Sequence, residues 1–135
     1  MLDLGLILPA TSLGISRLSD EPGHLTLPLE KNTNDKATIF AGSIFSLAAL
    51  SGYDTVFDKR TERGLTGNLF LLSSSITYHN PGVSDIVAKS RITESFVATK
   101  RGNFKMSVHV EVFDLNNGQL CAVFDGAYVV KTDAQ

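Results

Sequence analysis

Two kinds of hydrophobic pattern meet at Gly64. Beyond it, apolar and polar positions alternate with a period of two, as they do in strands that bury one face. The alternation predicts strands over residues 69–78, 86–93, 104–112 and 120–130. In the third of these, Phe104, Met106, Val108, Val110 and Val112 oppose Lys105, Ser107, His109 and Glu111. His79-Asn80-Pro81-Gly82 stops the first strand, and Asn116-Asn117-Gly118 spells a hairpin turn before the last. Ahead of Gly64, residues 38–53 carry no charge on any face, and small residues such as Ala41, Gly42, Ala48, Ala49 and Gly52 are interleaved. Such a stretch predicts a helix that is apolar all round, hence buried all round. Asn34, Asp35 or Thr38 is expected to cap its start, and Gly64 follows its end. Further upstream, two short strands are expected over residues 13–19 and 24–29, about the Asp20-Glu21-Pro22-Gly23 turn. The opening apolar segment is expected to make a turn or two of helix before Pro9.

Two short strands, one buried helix and four long strands imply an α+β fold with an antiparallel sheet. A single helix that is apolar on every side must be wrapped by a strongly curved sheet, which is the hotdog arrangement. The length of 135 residues suits one domain, expected over residues 1–135. With 43% hydrophobic and 19% charged residues, the chain has an ordinary globular composition. Twelve basic and fourteen acidic residues leave a net charge of −2, which removes any global electrostatic case for a nucleic acid or a membrane surface. Cys121 is the one cysteine, so neither a disulfide framework nor a cysteine-based zinc site is expected. His24, His79 and His109 are scattered without metal-ligand spacing, and no metal or cofactor is expected. The short, acid-bearing apolar N-terminus is not that of a signal peptide or a membrane span, so a cytoplasmic location is expected.

The loop leading into the helix carries a resemblance. Asn32-Thr33-Asn34, followed by Thr38-Ile39-Phe40-Ala41-Gly42-Ser43, is similar to the Asn-x-Asn and Thr-x-Phe-Gly-Gly-Ser of YiiD C-terminal thioesterase-like domains. Ile76-Thr77-Tyr78-His79-Asn80-Pro81 resembles a hotdog strand ending Ile-x-Tyr-x-x-Pro, and residues 118–130 resemble the family's last strand. The likeness spans roughly residues 13–130, with these motifs in the family's order. Thioesterases of the PaaI and THEM types carry His-Gly-Gly at the helix start, where this chain has Phe40-Ala41-Gly42. They also carry a helix carboxylate nine positions after that His, at the position of Ala49. The YiiD group shares the Phe, while Ala41 replaces its Gly. YiiD-type proteins carry an acetyltransferase domain in front, for which this chain is expected to have no room.

The resemblance implies hydrolysis of an acyl thioester, such as an acyl-CoA, by a homodimer with a site at each helix-to-partner junction. Gly42 matches the family's oxyanion-hole glycine, and the Gly42 and Ser43 amides are the expected hole. Asn34 matches the residue that orients the carbonyl or water in PaaI-like enzymes, and Asp35 is the nearest carboxylate and so the expected base. Both types also favour caps and turns, so a purely structural role stays open for each. The acyl tail is expected beside Phe40, Ile44 and Tyr53. Coenzyme A phosphates favour local cations, for which Lys100 and Arg101 are expected, with Lys89 and Arg91 on the neighbouring strand. Alanine at position 49 supports an alternative, a hotdog module that binds acyl-CoA or an acyl chain without turnover. A hotdog dehydratase ranks third, since no Asp-x-x-x-x-His pair stands near the helix start.

Overall fold

The computed structural model describes residues 1–99 and 101–131. Among these residues, six strands form one antiparallel sheet in the order β1-β2-β4-β5-β6-β3. They are β1 (Ser16–Arg17), β2 (Leu25–Leu27), β3 (Asn68–Tyr78), β4 (Ile86–Ala98), β5 (Phe104–Asp114) and β6 (Leu120–Lys131). The helix α2 (Ala41–Glu62) packs across them, and a short α1 (Leu8–Leu13) follows a 3-10 turn at Leu4–Leu6. The core is where the alternating strands meet the helix. Met106, Val108, Val110 and Val112 of β5 and Ala122, Phe124, Tyr128 and Val130 of β6 are buried together with Leu47, Ala48 and Val56 of α2. The intervening β5 residues Lys105, Ser107, His109 and Glu111 stay partly exposed on the outer face.

Three local expectations fail, each for a physical reason. Residues 13–19 do not form a strand: Pro9 sits in the first turn of α1, where its missing N–H costs nothing, and Gly14 ends the helix in the left-handed region (φ 76°). Only Ser16 and Arg17 then pair with β2. The start of α2 lies three residues later than Thr38, and its N-cap, Phe40, makes no side-chain cap bond. Asn34, Asp35 and Thr38 instead belong to a β-turn whose flanks pair Thr33 with Ile39. Finally, α2 is not buried all round. Phe45, Ser46, Ala49 and Tyr53 are only partly buried, because the sheet covers the helix from one side and leaves this face open in the protomer. Asp54, by contrast, is completely buried on α2 and is held by Arg17 of β1 through both carboxylate oxygens at 2.8 Å.

Candidate active site at the start of the central helix

The turn ahead of α2 is built by Asn34. Its backbone N–H donates to the Thr38 carbonyl at 2.8 Å, and its Oδ1 accepts from the amides of Lys36 (2.8 Å) and Thr38 (3.1 Å). Its Nδ2 donates to the Thr38 hydroxyl at 2.9 Å. Closure of this turn sets Ala37 in the left-handed region (φ 61°), unusual for a residue with a Cβ. Asp35 and Lys36 form the tip. Asp35 is 83% exposed and pairs with Lys36 at 3.0 Å, so within the protomer it points into solvent. Asn32 fastens the base of the loop: its Nδ2 donates to the Leu13 and Pro28 carbonyls and its own carbonyl accepts the Phe40 N–H. From the other side, the Ile39 N–H donates to the Gly82 carbonyl at 2.9 Å. A Cβ at Gly82 would lie 2.9 Å from the Ile39 side chain, so only glycine lets these two segments approach this closely.

These contacts fix the first turn of α2. The Ser43 N–H donates to the Phe40 carbonyl at 3.0 Å and is consumed by the helix, which removes it from the expected amide pair. Among the described residues, the Ala41 and Gly42 N–H groups have no acceptor, as expected for the first donors of a helix. Two concavities flank this turn. One is a cleft of about 290 Å³ lined by Asn34, Lys36, Thr38, Ala41, Ile44, Tyr78, His79 and Asn80. The Tyr78 hydroxyl donates to the Ala41 carbonyl at 3.0 Å, and partial burial raises the pKa of the phenol, keeping it a donor. The other is an apolar groove of about 360 Å³ lined by Phe45, Ser46, Ala49, Leu50 and Tyr53 of α2, Leu71 of β3, Tyr128 of β6 and Ile7. The Tyr128 hydroxyl is spent on the Ala49 carbonyl at 2.6 Å. Gly42, Ser46, Ala49 and Tyr53 follow the i, i+4, i+7, i+11 spacing of one helix face, so Gly42 heads the groove's line while Ala41 and Ile44 turn to the cleft. The exposed Phe40 ring lies over Gly42, where an added Cβ would come within 2.5 Å of it.

The residues expected at the site are thus divided. Asn34 and Ile44 line the cleft, Tyr53 lines the groove, and Phe40 and Gly42 stand between them. Lys89 and Arg91 are exposed on the outer face of β4, since the intervening Ser90 bonds to Ser51 of the helix. Arg101 is exposed in the β4–β5 turn, near the opposite end of α2, where Arg63 contacts Ser95 and Phe96. Lys100 lies outside the described residues. Among the described residues, Lys89, Arg91 and Arg101 therefore do not gather at the start of the helix, where Lys36 lines the cleft. Sequence reasoning passed over Tyr78 and His79 as site residues, although the Ile-x-Tyr-x-x-Pro spelling already marked their segment. The other two histidines are engaged elsewhere, His24 with Ser19 and His109 with Asp125 on the outer face. Cys121 is buried, which pushes its thiol up to about 11 and makes it a poor nucleophile. Among the described residues, no three His, Cys, Asp or Glu side chains converge as metal ligands would.

A family model described as "Putative thioesterase (yiiD_Cterm)" matches residues 9–132. The chain belongs to the YiiD C-terminal family. The "putative thioesterase" from Shewanella oneidensis shares 30% identity and a TM-score of 0.79, over 93% of this chain and 89% of that one. At lower identity the likeness concerns the fold. The PaaI protein from the phenylacetic acid degradation operon of E. coli matches at 17% identity and a TM-score of 0.67, covering 92% of this chain and 84% of its own. A thioesterase from Haemophilus influenzae matches at 13% identity and a TM-score of 0.69, covering 94% and 85%. This YiiD C-terminal chain therefore has the hotdog fold that its alternating strands and long uncharged helix segment imply. No helix among its described residues is long and apolar enough to cross a membrane.

Proposed function

We propose that the protein hydrolyses an acyl thioester, with acyl-CoA as the substrate class. The observation that carries this reading is the pair of free amides at Ala41 and Gly42, between a polar cleft and an apolar groove. Thioester hydrolysis needs donors for the developing oxyanion, a positioned water with a base, and a dry place for the acyl chain. The two amides, aided by the helix dipole, supply the first. Asn34 and the His79 imidazole, both lining the cleft, supply the second. The groove beyond Gly42 takes the acyl tail, with Phe40 and Tyr53 along its path. Asp35, turned to solvent in the protomer, reaches a reacting water only in a partner's site. The long edge strand β3, with Phe70 and Leu72 exposed, supports pairing into a homodimer. Lys89, Arg91, Lys100 and Arg101 serve coenzyme A across that pairing.

Free-thiol release from a panel of acyl-CoAs tests the reading. Multiple turnovers that fall at least tenfold in Asn34→Ala and His79→Ala, but not in Asp35→Ala, place the base in the protomer's own cleft. Loss in Asp35→Ala alone places it across the dimer. Full activity in all three variants refutes the site. A second reading rests on Ala49, which puts a methyl group on the groove where PaaI-type relatives carry a carboxylate. It makes the protein an acyl-CoA-binding module, recognised by a raised Tm with acyl-CoA and no turnover.

A further inference from the structure

The buried ion pair of Asp54 and Arg17 has no part in the chemistry above, yet it stands one residue from Tyr53. Arg17 uses its second bonding direction on the chain's N-terminal segment, its Nη2 donating to the Leu2 carbonyl at 2.6 Å. Leu2 and Ala10 are buried, so the segment is fastened at both ends like a strap. Between those ends Leu6 and Leu8 point outward, each 74% exposed, while Ile7 turns in and lines the apolar groove. Tyr53 is the groove residue farthest along α2 from Gly42. Its ring is held edge-on to Tyr128 at 6.3 Å and stacked on Phe57 at 6.5 Å, so it is braced in place.

We propose that Tyr53, together with Ile7 on the anchored strap, sets the length of acyl chain that the groove accepts. This rests on the thioester reading above and adds the specificity of the same site. Helical side chains lean toward the N-terminus, so the Tyr53 ring covers the surface near Ala49 and Leu50. From Gly42 to Ala49 the helix rises about 10 Å at ~1.5 Å per residue. An extended chain with C–C bonds near ~1.5 Å fits about eight carbons in that length. The substrate class is therefore a medium-chain acyl thioester.

The test compares kcat/KM across straight-chain acyl-CoAs from two to sixteen carbons, with Tm shifts on the same ligands and sedimentation of each protein. Wild type is expected to peak near eight carbons. Ile7→Ala and Tyr53→Ala are expected to move the peak to longer chains, by about fourfold in kcat/KM for each methylene newly housed. Ala49→Leu fills the groove and is expected to move the peak to shorter chains, a direction that loss of stability does not mimic. A peak that stays in place in Ile7→Ala and Ala49→Leu overturns the proposal while leaving the thioester reading standing. Neither turnover nor a Tm shift with any acyl-CoA overturns both. An unchanged profile with altered sedimentation makes the groove a subunit contact, which also overturns the proposal.

Discussion

Replacing Arg17 by Met tests how the N-terminal strap and the β1–β2 hairpin are held to the helix. Asp54 is fully buried and accepts three bonds, two from the Arg17 guanidinium at 2.8 Å and one from the Gly23 N–H at 2.7 Å. Breaking a buried pair by removing one partner costs about 3–5 kcal/mol, since the remaining charge is uncompensated. Arg17 is 20% exposed and the Gly23 amide remains, so the lower end, about 3 kcal/mol, is expected here. Against a total stability of about 5–15 kcal/mol that is a large share. With a urea slope of about 1–3 kcal/mol per molar, the midpoint should fall by 1 M or more. The bond to the Leu2 carbonyl is lost as well, so amide protection in residues 2–13 should drop more than in β5 and β6. Adding Asp54→Asn to Arg17→Met should recover part of the loss, because a neutral amide is cheaper to bury than an unpaired carboxylate. A cost below about 1 kcal/mol, with the strap's amides as protected as before, would refute the reasoning.

Two further outcomes follow from other buried groups. Burial works against the charge of Asp114, but the Ser84 hydroxyl and the amides of Val83, Asn117 and Asn116 outweigh it and hold its pKa at about 2, below the ordinary 3.8. A depressed carboxylate stabilises the fold above its unfolded pKa. The contribution, about 2 kcal/mol, should be complete near neutrality and lost as pH falls from about 4 through 2. Urea midpoints of wild type and Asp114→Asn should therefore differ at pH 7 and converge toward pH 2. The Cys121 thiol should be silent to a thiol reagent in the native protein and appear as one equivalent on denaturation, so thiol-release assays should carry little background.

The alternation after Gly64 located the four long strands, because strands with one buried face write their geometry into the sequence with period two. The helix was legible for a different reason, its lack of charge. What the pattern could not say was which of its faces lacks cover within a single protomer. That depends on how far the sheet wraps, and Ala49 and Tyr53 look no different in sequence from Ala48 and Leu47. Asn34 was found through its motif, but its side-chain bonds close its own turn rather than cap α2. Asp35 was chosen for its position in sequence, and the turn it helps form carries it to the tip and away from the cleft. His79 went unselected because it sits in a turn by local rules. The Ile39–Gly82 and Tyr78–Ala41 bonds, between residues far apart in sequence, bring that turn to the start of the helix.

The outer edge of β3 has a thermodynamic consequence. Along this eleven-residue strand, alternate positions turn their backbone N–H and C=O groups away from β6, with Phe70, Leu71 and Leu72 before three consecutive serines. Whatever docks against such an edge binds the folded chain and not the unfolded one, so its contribution enters as a mass-action term. If the occupant is a second copy, the melting temperature becomes a function of protein concentration, and a midpoint measured at one dilution is not transferable to another. The serines, poor in apolar area, limit how far this edge can recruit unrelated strands while leaving its hydrogen-bonding groups available to one that fits.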